Sequence, residues 1–202
     1  MTANIVGPSQ RDFDPSNPLS SFVDVLRRIV LHPVVFFAEI PRREGLRNPF
    51  LFALICIVIG AVLNAVVGLS GLQSPLQSSE GSQSSAGLVA YIASLAIIGI
   101  IALPVVAGLY QLLVGTVVGH ENAGFEGTFR VVAYASVVNL VIWIPMLGLL
   151  LGLYSLYLQV VGLREIHQTT TGRAILVLLL FLVATIMIGV WIGLMLAYIL
   201  IS

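Results

Sequence analysis

Two polar islands hold most of the side chains that could act on a substrate. The first, GHENAGFEGTFR at residues 119–130, carries His120, Glu121 and Glu126. The second, GLREIHQTTTGR at residues 162–173, carries Glu165 and His167 between Arg164 and Arg173. Histidine beside carboxylates is the equipment of acid–base catalysis or of a metal site. Neither island builds such a site from its own spacing. There is no pair of histidines four residues apart, no H-E-x-x-H, no G-x-S-x-G elbow and no Walker A loop. A metal or acid/base site would require the fold to bring the two islands together. The single cysteine, Cys56, excludes a disulfide framework or a cysteine-based metal centre within one chain. The expectation is therefore no enzyme and no cofactor.

The elements that must position these islands are hydrophobic runs. Of the 202 residues, 58% are hydrophobic and 9% charged, against about 45–50% and about 25% in ordinary soluble domains. Several runs approach or exceed the roughly 18–20 apolar residues needed to cross a bilayer. The fold class is an all-α, polytopic transmembrane helical bundle. Residues 1–21 are polar and contain Pro8, Pro15 and Pro18. They lack the short apolar core of a signal peptide, so the first span is expected to direct insertion itself.

Along the chain, residues 1–18 read as a disordered tail and 19–48 as a cytoplasmic or interfacial amphipathic segment. Phe22, Val25, Leu26, Ile29 and Val30 would share one face of a first helix, capped by Ser20 or Ser21. Pro33 breaks that helix, and VVFFAEI forms a second short piece. Both are too short and too charged to span, which suits the headgroup region. Residues 49–202 form the transmembrane domain, with spans at about 49–69, 88–118, 131–144, 147–163 and 174–201. Pro104 offers a kink or break in the second run. The run 131–163 would measure about 50 Å as one straight helix, against a hydrocarbon core of about 30 Å. Two spans with a turn near Pro145, or one tilted and kinked helix, fit that length.

Arginine placement decides between them. All nine basic residues are arginine, and six of them precede the first span. Cytoplasmic loops attract such residues. Five spans put all nine inside and leave Glu80 as the only outside charge. Four spans would move Arg164 and Arg173 outside. Five spans, N-terminus in the cytoplasm and C-terminus outside, is the reading that follows. Net charge is zero and gives no indication of a nucleic-acid partner.

No Asp, Glu, Arg or His falls clearly within an apolar run, which argues against an ion-coupled carrier. Asn64, Tyr91, Ser94, Tyr110, Gln111, Tyr134, Ser136, Asn139, Tyr154, Ser155, Tyr157, Gln159 and Thr185 are milder polar residues, suited to interhelical hydrogen bonds or to a hydrophilic path. Small residues one turn apart occur at Gly115/Gly119, Gly148/Gly152 and Gly189/Gly193. They read as close packing within one chain, or as a contact between two copies. Arg42, Arg43 and Arg47, just before the first span, would attract anionic headgroups. With Glu126, Arg130, Arg164, Glu165, His167 and Arg173 they are the expected contacts for lipid or protein partners.

Three stretches carry a resemblance: HPVVFFAEIPRREGLRNPFLFALI (32–55), GFEGTFRVVAYASV (124–137) and VVGLREIHQTTTGRAILVLLL (160–180). The arrangement resembles the Yip1-domain family of five-span membrane proteins, and looks closest to its bacterial and archaeal members. The resemblance implies five transmembrane helices, a cytoplasmic N-terminus and no enzyme activity. Eukaryotic relatives act in ER–Golgi vesicle traffic with Rab GTPases, and they carry a longer N-terminal region than this chain. All-arginine usage suits a high-GC bacterium, and hence a prokaryotic plasma membrane. The function expected is a membrane scaffold or adaptor binding protein or lipid partners at its cytoplasmic face. The alternative is a passive transporter, channel or lipid-translocating protein.

Overall fold

Proline and glycine punctuation sets the element boundaries. A computed structural model describes residues 12–69, 85–120, 122–141, 143–144 and 147–201. Helix α1 spans Pro18–Leu31 and α2 spans Pro33–Glu39. Each begins on a proline, whose missing N–H costs nothing in the first helical turn. The cap of α1 is thus Asn17 rather than Ser20 or Ser21, and Asn17 makes no side-chain capping bond. Ser21 Oγ instead accepts from the Asp14 N–H at 2.7 Å. Of the expected apolar face, Val25 and Ile29 are buried but Val30 is exposed.

Three further helices are long and apolar enough to cross a membrane: α3 (Arg47–Leu69), α4 (Ser85–Val117) and α7 (Thr171–Ile201). Helix α4 continues through Pro104 without a break. The loop expected at 70–87, with Glu80, lies outside the described residues over 70–84. Helix α5 (Gly124–Ala135) passes into a 3₁₀ segment, Ser136–Leu140, and α6 follows at Leu147–Ile166. The run 131–163 is therefore divided between two elements. The first of them begins seven residues before position 131 and includes Glu126 and Arg130. No strand occurs among the described residues.

The N-terminal helices pack on one end of the bundle through aromatic rings. Phe13, Phe36, Phe37, Phe52 and Tyr134 are all buried. Phe52 of α3 contacts Phe13, Phe22 and Tyr134, at centroid distances of 6.1, 5.2 and 5.1 Å. Such pairs add about 0.5–1.5 kcal/mol each beyond burial. Residues 12–18 were expected to be disordered, yet Asp12 and Phe13 sit inside this cluster. The tail is held because Phe13 supplies apolar area and Asp12 meets a buried cation.

The hairpin of α1 and α2 lies along α6. Tyr154 Oη donates to the carbonyl oxygens of Ile29 (3.2 Å) and Val30 (2.9 Å). Further along, a Cβ on Gly162 would lie 3.2 Å from Phe37 and 2.8 Å from Val131. Gly60 brings α3 against the 3₁₀ segment, where a Cβ would stand 2.5 Å from the Asn139 carbonyl oxygen. The glycines of the small-residue patterns behave differently. A Cβ at Gly115, Gly119, Gly152, Gly189 or Gly193 would meet nothing within 4 Å. Among the described residues, nothing packs closely on those five glycines.

Candidate functional site

Contacts bring the start of α3, the start of α5 and the α6–α7 turn to one end of the bundle. The arginines Arg42, Arg43, Arg47, Arg130, Arg164 and Arg173 collect there. Two polar networks hold this end together.

The first is centred on Arg130, whose side chain is fully buried. Its Nη1 donates to Asp12 Oδ2 at 2.6 Å and its Nη2 to the Gly45 carbonyl at 2.8 Å. Asp12 Oδ1 accepts from Tyr134 Oη and from the Phe13 N–H. The Gly45 N–H donates to Glu126 at 3.3 Å. Arg130 Nε has no partner among the described residues. Arg130 was expected to contact lipid or a partner; the structure makes it an internal strut, because α5 turns it inward onto Asp12. No sequence signal pointed to Asp12, which is 118 residues away.

The second network is centred on His167, also buried rather than presented to a partner. It caps α6. Gln168 takes a left-handed conformation (φ 49°) and the Thr169 N–H returns to the Arg164 carbonyl at 3.0 Å, the pattern of a Schellman C-cap. The Ala123 N–H donates to His167 Nδ1 at 3.1 Å. A neutral ring then carries its proton on Nε2, facing Thr128 Oγ1 at 3.1 Å. Thr128 donates onward to Gln111 Oε1 at 2.6 Å, and Gln111 Nε2 to Asn122 Oδ1 at 3.1 Å. Desolvation, with the Arg42 guanidinium adding to it, pushes His167 down to about 4. The chain of bonds ties the two polar islands together through backbone and amides, and it holds the ring neutral.

His120 is exposed, and Glu121 lies outside the described residues. Among the described residues no three His, Cys, Asp or Glu side chains come together as metal ligands. Of the other expected contacts, Arg43, Arg47 and Arg173 are exposed and Arg42 is half-buried. None of these four arginines forms an ion pair among the described residues. Arg164 is tied to Glu165 through Nε (2.8 Å) and Nη2. Two clefts open here. One, of about 350 Å³, is lined by Ala38, Arg42, Arg164, Glu165, Gln168 and Thr169. The other, of about 330 Å³, is lined by Arg42, Arg43, Asn122 and His167 among others. Thr170 Oγ1 accepts from the Arg173 N–H at 3.4 Å and caps α7.

A separate open cleft of about 580 Å³ lies between the helices, lined by Gly60, Asn64, Ser136, Asn139, Ser155 and Gln159 among mostly apolar residues. Tyr110 Oη donates to Gln159 Oε1, and Gln159 Nε2 to Ser155 Oγ at 3.2 Å.

The model of the Yip1 domain matches residues 27–193. No curated protein and no solved structure matches the chain. The matched region runs from α1 into α7 and takes in the His167 network, both clefts and Arg130, but not Asp12. On that match, and with helices long and apolar enough to cross a bilayer more than once, the chain is a multi-pass membrane protein and belongs to the Yip1-domain family.

Proposed function

We propose that this protein is a non-enzymatic membrane scaffold, presenting a rigid cationic face to protein or lipid partners on the cytoplasmic side. The observation that carries the reading is the gathering of arginines at one end, fixed from beneath by the buried Asp12–Arg130 pair. The positive-inside rule places that end in the cytoplasm. Five spans remain the topology proposed. Beyond the cationic end, residues 131–140 of α5 and the 3₁₀ segment reach about 18 Å, and α6 measures about 30 Å, the latter close to the hydrocarbon thickness. The C-terminus then lies outside, and a topology reporter fused after Ser202 that reads cytoplasmic would overturn this. A prokaryotic plasma membrane is the location proposed.

The α1–α2 hairpin is proposed to sit in the membrane interface. Leu31 and Val35 at its tip are 57% and 51% exposed. Its Ile29–Val30 carbonyls meet Tyr154, ten residues or about 15 Å along α6 from Arg164. Exposed valine and leucine at that depth suit acyl chains better than water.

The scaffold is tested by capture from native membranes, with Arg164 and Arg173 intact and then both replaced by glutamine. Partners lost from the variant support the platform. A partner set that does not change removes it.

The open cleft between the helices favours a second reading, passage of an uncharged solute or lipid. Broken helices at membrane depth are tolerated where they line a cavity, and the 3₁₀ segment lines this cleft. Transport that survives Asn139→Leu together with Ser155→Leu would remove that path.

A further inference from the structure

The two clefts at the cationic end share one wall residue, Arg42. It leaves the loop after α2 and reaches between α2 and the α6–α7 turn. It has no ion-pair partner among the described residues. Around it the walls carry Arg164, Gln168 and Thr169, residues whose side chains can donate. Thr169 Oγ1 is shielded from solvent and has no hydrogen-bond partner among the described residues. The one carboxylate in the wall, Glu165, is already engaged by Arg164 through two nitrogens. The pair is neutral as a unit, so Arg42 sets the sign of the cleft. The guanidinium fork matches the oxygens of a phosphate, and amide and hydroxyl donors complete such a shell.

We infer that the cleft between α2 and the α6–α7 turn is a binding site for a phosphate group, held by Arg42 with Arg164, Gln168 and Thr169. Its place at the mouths of α6 and α7, beside the hairpin proposed to lie in the interface, favours a phospholipid headgroup over a free anion. The inference rests on the platform reading only for the side of the membrane it assigns. It deepens that reading by naming the chemistry recognised.

The test uses the full-length protein purified in detergent, with retained lipid counted by native mass spectrometry. The probes are phosphatidylglycerol and phosphatidylcholine, with inorganic phosphate as a separate arm. The expected result is retention of phosphatidylglycerol over phosphatidylcholine. Arg42→Gln should weaken that retention about fivefold, the effect of one cation near an anionic surface. Arg27→Gln removes the same charge from an exposed position of α1 outside both clefts, and should leave retention unchanged. An equal loss in both variants, or no preference in the wild type, overturns the site. Displacement of the lipid by inorganic phosphate, in the wild type but not in Arg42→Gln, supports the phosphate site and assigns it to a soluble anion. Thr169→Val, nearly isosteric, reads the same wall if Arg42→Gln fails to fold; undiminished retention in it then counts against the site. A partner set unchanged in the Arg164/Arg173 variant, with lipid retention that depends on Arg42, would remove the platform alone. Arginine-dependent partner capture with no phosphatidylglycerol preference would remove the site alone.

Discussion

Replacing Arg130 with methionine should be among the most damaging single changes in this protein. The substitution keeps most of the side-chain volume but removes the charge that offsets Asp12. It leaves a carboxylate 5% exposed, with only Tyr134 Oη and the Phe13 N–H as partners, and it frees the Gly45 carbonyl. Breaking one side of a buried pair costs about 3–5 kcal/mol. That is a large part of the about 5–15 kcal/mol that holds a typical domain folded. Asp12→Ala should cost a similar amount, because it strands a guanidinium whose Nε is already unpartnered. The double variant Asp12→Ala with Arg130→Met should recover much of the loss, since no buried charge then remains. Melting in detergent measures all three, and limited proteolysis around residues 12–17 reports release of the tail. If Arg130→Met melts within about 1 kcal/mol of wild type, the pair is not the strut described here. Additive single effects would refute the coupling.

Three other outcomes follow from the geometry. His167 is held neutral, pushed down to about 4 from 6.5, so the unfolded chain binds the extra proton between those values. Its contribution should be complete above about pH 6.5 and fall away as the pH drops toward 4, by about 3 kcal/mol in total; pH-dependent melting that is identical in His167→Gln would refute this. Gly60→Ala forces a Cβ to within 2.5 Å of a backbone oxygen that cannot turn aside and should cost about 1–3 kcal/mol. Gly152→Ala, with nothing within 4 Å, should be neutral or slightly stabilising, and a reversed order in melting would sink the packing argument. A fluorophore on Leu31→Cys should be quenched by lipid-borne quenchers and one on Ser16→Cys should not; equal quenching would remove the proposed interfacial seat of the hairpin.

Much of the architecture was legible because the bilayer is a demanding solvent. Apolar runs of span length, with prolines and glycines between them, mark where α3, α4, α6 and α7 lie to within a few residues. The Yip1-like character was legible from 32–55, 124–137 and 160–180. The first turns of α5 lie in the polar island at 119–130, where Glu126, Thr128 and Arg130 give no apolar helical face in isolation. They are helical because Arg130 finds Asp12 and Thr128 finds Gln111. A one-dimensional pattern does not say which side chain, 17 or 118 residues away, the fold will bring alongside.

The sequence by itself determined that this chain belongs in a membrane and that its cations cluster, since hydropathy and arginine spacing are local properties. Only the tertiary structure decided which of those cations are free. Arg130 and Arg42 are indistinguishable as letters beside a polar loop. One is fully buried against a carboxylate, and the other stands between two clefts without an ion-pair partner among the described residues. The difference arises because desolvation and pairing depend on what the folded chain brings within a few ångströms of each guanidinium.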